Sequence, residues 1–420
     1  MRQRHLFTKT RKEAPTDEVA KNAQLLIRGG FVHKEMAGVY DYLPLGLRVL
    51  NKITGIIREE MDKIGGQELL LSALQSKEVW EKSGRWSDGV IDVWFKSTLT
   101  HGAEVGLGNT HEEPLTALVG EHVSSYKDLP RYIYQIQTKF RNELRAKSGI
   151  LRAREFLMKD LYSFSRTEEE FRLFYEECAA AYLRIFERVG LGELTYRTFA
   201  SGGPFSDYSD EFQTLCDVGE DTIYVDEERR VAVNKEVYTD KTLDDLHLDK
   251  TRLVEKRGIE VGNIFPLGTR FSEALGLRYR DADGNDTPVV MGSYGIGPGR
   301  VMGTIVELYS DNRGIIWPES VAPFRVHLVA LAGEEGKGVR TEAEKLYTLL
   351  VDAGIETLYD DREASPGEKL ADADLIGIPW RVVVSEKTQA QHALEIKNRK
   401  TGATEMLGEK ELFDELKTEN

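Results

Sequence analysis

The stretch from Tyr132 to Phe164 constrains this chain most. Tyr132 to Phe140 alternates in polarity and is rich in β-branched and aromatic side chains, so it reads as a strand. Phe156 to Phe164 has the same character and lies across a polar loop, which predicts a paired antiparallel partner. The loop and strand ends carry Lys139, Arg141, Arg145, Lys147, Arg152, Arg154 and Lys159 against only Glu143 and Glu155. The whole chain has 56 Lys and Arg against 71 Asp and Glu, a formal net charge of −15. That balance argues against a general nucleic-acid binder. A positive island on an acidic protein points instead to a localised anionic ligand, a nucleotide or the end of a nucleic acid. A solvated charged hairpin is the plain alternative.

At 420 residues the chain exceeds one ordinary core, so two or more domains are expected. An apolar fraction of 40% and a charged fraction of 30% fit a soluble globular protein. No run of about eighteen apolar residues occurs, so no membrane span is expected. The N-terminal MRQRHLFTKTRKEAP is basic but has no apolar segment long enough for a secretory signal. Cys178 and Cys216 are the only cysteines, too few for a disulfide framework or a cysteine zinc site. A reducing cytoplasm is the expected compartment, and no zinc is expected.

Leu47, Leu50, Ile53, Ile57, Met61 and Ile64 recur at helical steps until Gly65-Gly66, and a strand is expected from Glu68 to Leu74. Thr167 and Glu170 make a capping box for a long helix ending near Gly190. Residues 220–260 are polar and weakly patterned, and read as a small insertion or surface excursion. Near Trp317-Pro318 the pattern changes. Strands at Phe324–Leu331, Glu356–Tyr359 and Arg381–Ser385 alternate with helices at Val339–Asp352 and Pro366–Ile376, which predicts a separate C-terminal α/β domain of roughly a hundred residues. The expected division is residues 1–318 as a first, α+β domain and 319–420 as a second.

An arginine at a strand end binds a phosphate oxygen bidentately, which suits Arg141, and Arg152 across the loop would hold more distant phosphates. Phe156 offers a flat apolar face to a purine, and Glu143 an acceptor for its exocyclic amine. The second stretch, MGSYGIGPGR from Met291 to Arg300, contains Gly-x-Gly-x-x-Arg. It ends in arginine, and no βαβ unit with a distal acid follows, so it is a poor dinucleotide fingerprint. A strand entering a helix, with glycines allowing close approach to a ligand and Arg300 on the first turn, reads better. An ordinary glycine-rich turn remains open.

Together the two stretches resemble motifs 2 and 3 of the class II aminoacyl-tRNA synthetases. AGVYDYLPLGLRVL, NTHEEPLTALV, LPRYIYQIQTKFRNELRAKSGILRAREFLMKDLYSF, DEFQ, MGSYGIGPGR, RGIIWPESVAPF and DDREASPGEKLADADLIGIP follow in family order and narrow the resemblance to the bacterial-type prolyl-tRNA synthetases. The resemblance implies a seven-stranded, mostly antiparallel catalytic sheet flanked by helices, a homodimer with the Leu47–Met61 helix near its interface, and a C-terminal anticodon-binding domain. It implies L-proline, ATP with Mg²⁺, and tRNA(Pro) as substrates and partners. Arg141 would bind the α-phosphate and the carboxylate side of the site. Arg152 and Arg300 would hold the outer phosphates, with Arg300 also packing on adenine and Phe156 on its opposite face. Gln213 and Thr214 would lie near ribose and adenine, and Glu211 is a candidate Mg²⁺ ligand. Thr110 and Glu112 match the loop that captures the imino group of proline, and their two oxygens suit the two N–H donors of a secondary ammonium. THEEP also reads as a plain capped helix start. Arg145 and Lys147 are candidates for the tRNA acceptor stem, and Asp360, Arg362 and Lys369 for the anticodon side. The last three read equally well as solvated surface.

Three departures from the family pattern stand out. Ser72 replaces the proline usual in motif 1, and Asp210 stands where a histidine usually precedes Glu-Phe-Gln. Residues 220–260 are far too short for the editing domain that many bacterial members insert there. A small apolar pocket separates near-isosteric substrates only modestly, so clearing of alanyl-tRNA is expected to fall to a separate editing protein. Another class II synthetase, threonyl or seryl, and a non-catalytic paralogue are the rival readings. The THEE loop disfavours the first, and the presence of Arg141, Arg152 and Arg300 the second.

Overall fold

The structure, a computed structural model, describes residues 1–144, 146–203, 206–333 and 336–417. The chain forms two compact units. One comprises Met36–Tyr40 and Ile53–Thr304; the other comprises Met1–Glu35, Asp41–Lys52 and Ile305–Asn420. No helix among the described residues is long and apolar enough to cross a membrane.

Among the described residues of the first unit, nine strands form the main sheet: β1 (Gln67–Glu68), β2 (Arg131–Phe140), β3 (Glu155–Ser165), β4 (Thr195–Ser201), β5 (Tyr208–Leu215), β6 (Asp221–Asp226), β7 (Val231–Asn234), β8 (Val254–Gly268) and β9 (Val290–Ile296). Their order is β5-β4-β7-β6-β8-β9-β3-β2-β1. Neighbours are antiparallel except β1 with β2 and β4 with β7. β5 also pairs with β8, which closes the strands from β4 to β8 on themselves.

The expectation of seven strands is therefore corrected to nine. The extra pairings come largely from residues 220–260, which are built into the sheet as β6, β7 and the start of β8 rather than looping over its surface. Ile223 and Val225, then Val231 and Val233, do alternate, but over strands of only 6 and 4 residues, too short for periodicity to stand out. The strand expected from Glu68 to Leu74 is interrupted. β1 ends at Glu68, and Leu74–Ser76 joins a separate three-stranded sheet with Lys96–Thr98 and Glu104–Leu107.

The helices include α1 (Pro44–Lys63), α2 (Glu112–Gly120), α3 (Glu168–Arg188) and α4 (Pro298–Leu308). α3 starts as its sequence predicts, with the Thr167 side chain accepting from the Glu170 N–H. The Glu170 carboxylate accepts from the Arg166 N–H instead of closing the expected box. Phe171, Phe174, Cys178, Tyr182 and Ile185 recur at three and four residues and are buried. Their rings meet the sheet: Tyr182 lies 5.0 Å from Phe212, Phe186 5.7 Å from Phe212, and Phe174 5.6 Å from Tyr294. Each such buried side chain stabilises the unit by about 1.5–3 kcal/mol. α3 thus fills one face of the sheet with apolar contacts.

In the second unit, β10 (Val326–Leu331), α5 (Lys337–Asp352), β11 (Thr357–Asp360), α6 (Pro366–Ile376) and β12 (Trp380–Ser385) follow the alternation read in the sequence. Two further strands, β13 (Leu394–Asn398) and β14 (Thr404–Leu407), give the order β11-β10-β12-β13-β14. β10 is parallel to β11 and β12, and the last two pairings are antiparallel. This unit gathers residues from both ends of the chain, whereas the change of sequence pattern falls at residue 318. The reason lies in specific contacts. Gln3 Oε1 is 2.8 Å from His327 Nε2, Glu307 Oε1 accepts from Asn22 N and Nδ2, Phe31 packs on Trp317 at 5.2 Å, and Arg48 pairs with Glu356.

Candidate active site

Strand alternation decides which side chains face the open side of the sheet. On β3, Lys159, Leu161 and Ser163 are buried in the body of the unit, and the Lys159 ammonium donates to the Tyr182 hydroxyl of α3. Phe156, Met158, Asp160 and Tyr162 therefore face the opposite way. On β9 the same parity turns Ser293 and Gly295 to the open side, with Tyr294 toward α3.

The loop before α2 lies over this surface. Phe140 N–H donates to Gly108 O at 2.9 Å, and Gln75 Nε2 to Thr110 O at 2.9 Å. The Tyr162 hydroxyl accepts from His111 N–H at 3.1 Å and donates to Asp160 Oδ2 at 3.1 Å. Asp160 also accepts from Gln135 Nε2 at 2.9 Å and from the buried Lys139 ammonium at 2.7 Å. Burial lowers the pKa of Lys139 against the opposing pull of Asp160. His111 is wholly buried, with Nε2 3.1 Å from Ser72 O, and burial lowers its pKa to about 4, so it is neutral and structural.

Thr110 Oγ1 donates to Glu112 Oε2 at 2.6 Å, which leaves the hydroxyl's lone pairs to accept. α2 begins at Glu112 with no side-chain cap, so Thr110 is spent on Glu112 rather than on capping. Arg85 Nη1 lies 2.9 Å from Glu113 Oε1 and 3.5 Å from Glu112 Oε2. Glu113 is fully buried, and that burial raises its pKa despite Arg85.

Arg141 follows β2 and bridges this loop and the nucleotide side. Its Nε and Nη2 each lie 3.3 Å from Asn109 O, and its guanidinium carbon is 5.5 Å from the Phe156 ring centroid. Burial lowers its pKa, and Arg300 nearby lowers it further. Arg141, Glu143, Arg152, Phe156, Glu260, Asn263, Gly295, Gly297 and Arg300 line one cavity of about 220 Å³. Arg152 Nε donates to Glu143 Oε2 at 2.8 Å, and its Nη1 pairs with Glu220. Arg300, on the first turn of α4, donates to Leu151 O at 2.9 Å and pairs with Glu260 Oε2 at 3.0 Å. The structure thus brings Arg141, Glu143, Arg152, Phe156 and Arg300 together, although they come from two stretches far apart in sequence.

A β-bulge shapes the remaining wall. Between β5 and β8 the register slips so that Phe212 faces Gly262 and Gln213 faces Glu260. The extra residue, Val261, puts Glu260 and Asn263 on the same face, where Asn263 Nδ2 donates to Glu260 Oε1 at 2.7 Å. Glu211 and Gln213 share that side. Gln213 Nε2 donates to Glu211 Oε2 at 2.9 Å and Asp221 Oδ2 at 2.8 Å, and its own buried Oε1 is unpartnered. Burial and then the charge of Glu260 raise the pKa of Glu211. Glu260 and Asp221 add negative charge beside Glu211, and Glu211 is the candidate there for a hard divalent ion such as Mg²⁺.

Several sequence expectations change here. Thr214 follows Gln213 by one residue and so faces α3's side of the sheet, fully buried with its hydroxyl 2.9 Å from Thr195 Oγ1. Its side chain does not reach the cavity. Asp210 likewise faces away and is held by Arg197 Nε at 2.9 Å and Tyr175 OH at 2.7 Å, so it adds no carboxylate to the Thr110–Glu112 pocket. Lys147 is exposed near the cavity-lining loop, and Arg145 lies outside the described residues. In the second unit Asp360 and Lys369 are buried rather than solvated. Lys369 Nζ donates to Ala330 O at 2.8 Å, and Asp360 takes the Arg362 guanidinium through Nε at 2.9 Å and Nη2 at 2.7 Å. Arg362 also pairs with Asp372 at 2.9 Å. Of the three, Arg362 alone keeps appreciable exposure. Glu220, Asp221, Glu260 and Asn263 belong to the site but escape sequence reasoning, because a bulge and two short strands bring them in.

A profile described as the tRNA synthetase class II core domain (G, H, P, S and T) matches residues 94–309, and an anticodon binding domain matches residues 326–419. Fold and site together define a class II aminoacyl-tRNA synthetase. The chain is 41% identical over 428 residues to the proline–tRNA ligase of Caulobacter vibrioides strain NA1000 / CB15N, with 96% of each chain covered. It is 39% identical over 445 residues to that of Caulobacter sp. strain K31, covering 100% of this chain and 99% of the relative. The chain belongs to the proline–tRNA ligase family, in the form without a large editing insertion. Among solved structures, prolyl-tRNA synthetase of Cryptosporidium parvum complexed with L-proline and AMP superposes with a TM-score of 0.76 at 17% identity, covering 94% of this chain and 73% of that one. The same enzyme complexed with halofuginone and AMPPNP gives 0.77 at 18%, covering 94% and 75%. These likenesses concern the fold.

Proposed function

We propose that this protein ligates L-proline to tRNA(Pro) in two steps at the cavity described above. The observation that carries the reading is the position of Arg141, which donates to Asn109 O, the residue before Thr110, and lies against the Phe156 ring. The prolyl ammonium places its two N–H groups on the Thr110 hydroxyl and the Glu112 carboxylate. Its carboxylate then lies beside Arg141, which also receives the α-phosphate. A carboxylate oxygen attacks the α-phosphorus in line as the bond to the bridging oxygen breaks. Prolyl adenylate forms and pyrophosphate leaves. No enzyme nucleophile is needed, since fixed cations stabilise the charge that develops on the phosphates. Arg152 and Arg300 hold the outer phosphates, Phe156 and Arg300 enclose the adenine, and Gln213 lies toward the ribose. The terminal ribose hydroxyl of the tRNA then attacks the prolyl carbonyl and AMP departs.

Mg²⁺ would be held by Glu211 and Glu260 and would offset phosphate charge when bound. Lys147 and Arg145 serve the acceptor stem, where phosphate contacts position rather than specify. Arg362, braced by buried Asp360 and Asp372 with Lys369 beside them, serves the anticodon side. In function the chain divides into a catalytic domain, 1–318, and an anticodon-binding domain, 319–420. It works in the cytoplasm as a homodimer with α1 near the interface. Alanyl-tRNA made in error is left to a separate editing protein. Proline-dependent ATP–pyrophosphate exchange, with alanine, cysteine, threonine and serine as comparators, tests the reading. Exchange driven by threonine or serine as well as by proline, or not driven by proline at all, would overturn it.

A further inference from the structure

The hydrogen bonds of Arg154 join two parts of the catalytic unit that the mechanism above leaves unrelated. Its backbone N–H donates to Gly38 O at 2.6 Å, and its Nη1 to Ala37 O at 3.0 Å. Its Nε donates to Glu143 O at 3.0 Å, and its carbonyl accepts from Arg141 N–H at 2.8 Å. One residue therefore ties the turn at Ala37–Gly38 to the backbone of both Arg141 and Glu143. Glu143 in turn holds Arg152. Arg154 itself is not among the residues lining the nucleotide cavity.

The turn at the other end of this tie is built for close approach. Gly38 lies between the strands Val32–Met36 and Val39–Tyr42 with φ +76°, a conformation that side chains other than glycine rarely adopt. A Cβ added there would stand 2.8 Å from Ala146 Cβ and 3.2 Å from both Arg154 Cγ and Arg154 N. Only the absence of a side chain lets the turn seat against the loop that carries the nucleotide-binding residues. Gly38 O takes the backbone N–H of Arg154, but the side chain reaches two carbonyls, Ala37 O and Glu143 O, so the tie needs two separated N–H donors on a rigid plane. That is an arginine property, which lysine lacks.

We propose that Arg154 is a positioning residue for ATP. Braced on the Ala37–Gly38 turn, it fixes the backbone at residues 141–143 and so the direction in which Arg141, Glu143 and Arg152 meet the nucleotide. The inference rests on the adenylate-forming activity proposed above.

Arg154→Ala, Arg154→Lys and Gly38→Val are made in the full chain, and KM for ATP and for proline are measured separately by ATP–pyrophosphate exchange, alongside thermal unfolding. Loss of a charge-assisted hydrogen bond predicts that Arg154→Ala and Gly38→Val raise KM for ATP about tenfold while KM for proline stays within about twofold. Arg154→Lys should recover little of the loss. Gly38→Val leaves every nucleotide-facing side chain in place and carries the test if Arg154→Ala does not fold. An unchanged KM for ATP in both, or an equal rise in KM for proline, overturns the inference while the proposed function stands. Failure of the wild-type chain to exchange with proline overturns both.

Discussion

Replacing Tyr162 by Phe removes one oxygen from beneath the Thr110–Glu112 loop and nothing else. The ring is 1% exposed, so no water replaces the hydroxyl without rearrangement. Burial raises the phenol's pKa well above its usual value, so the group is a neutral donor at every working pH. It donates to Asp160 Oδ2 at 3.1 Å, accepts from His111 N–H at 3.1 Å and stands 3.4 Å from Thr110 Oγ1. After the change Asp160 still has Gln135 and Lys139, but the His111 N–H is buried without an acceptor. An unsatisfied buried donor plus one lost bond to a carboxylate is worth about 3 kcal/mol. For a unit of this size that corresponds to a fall in melting temperature of about 5–10 °C. The kinetic consequence is selective. His111 joins Thr110 to Glu112, whereas Arg152 and Arg300 draw none of their contacts from Tyr162. KM for proline should rise about tenfold, with KM for ATP unchanged, in pyrophosphate exchange. A melting temperature that falls while KM for proline stays within about twofold would refute the link between this network and the substrate loop.

Arg300→Ala should abolish proline-dependent exchange while the circular dichroism spectrum is retained; normal exchange in that variant contradicts its role at the phosphates. Glu211→Gln should raise the Mg²⁺ concentration for half-maximal exchange about tenfold or more, and an unaltered Mg²⁺ curve would remove Glu211 from the metal site. Purified enzyme incubated with alanyl-tRNA for proline should not deacylate it above the uncatalysed rate, and clear hydrolysis would show editing within this chain. His327 is buried beside Gln3, and burial lowers its pKa from 6.5 to about 4. The unfolded chain thus binds the extra proton first, so stability is full above about pH 6.5 and lost as pH falls toward 4. The loss is about 2 kcal/mol between pH 7 and pH 5. Amide-exchange protection in β10 should fall accordingly and become flat in His327→Gln.

The sequence displays what is local and periodic. β2 and β3 are legible because each is a run of ten or more residues rich in aromatic and branched side chains on either side of a polar loop, and α3 because its cap and apolar stripe agree. Arg141, Arg152, Phe156 and Arg300 are legible because each sits at an element end beside glycine or apolar residues of strong pattern. Glu260 is not, since its inward direction depends on the single extra residue at Val261. Thr214 shows the same dependence in reverse. Adjacent to Gln213 in sequence, it lies on the opposite face, and one step along a strand is enough to separate a ligand-facing residue from a core one. Asp360 and Lys369 look like solvated charges in a polar run. What buries them is the meeting of β10, β11 and α6, through Ala330 O and the Arg362 guanidinium, which no local pattern announces.

Seven cations between Lys139 and Lys159 suggest an uncompensated basic patch, yet two of them are paired with carboxylates, and Arg141, Arg154 and Lys159 donate to carbonyl or hydroxyl oxygens. Lys139 has Asp160, Arg152 has Glu143 and Glu220, and across the cavity Arg300 has Glu260. Burying a cation costs several kcal/mol unless it is hydrogen-bonded, and at Lys139, Arg152 and Arg300 the partners are carboxylates. In the proposed reaction a triphosphate would compete with Glu143, Glu220 and Glu260 for the same guanidinium hydrogens, and a ligand bearing several phosphates would replace several carboxylates at once. Glu260 displaced from Arg300 in that reaction would add its charge beside Glu211 and Asp221 and favour a divalent cation arriving with the phosphates. The acidic balance of the chain and its basic island are therefore parts of one arrangement, in which the counter-ions of the arginines become the candidate ligands of the metal.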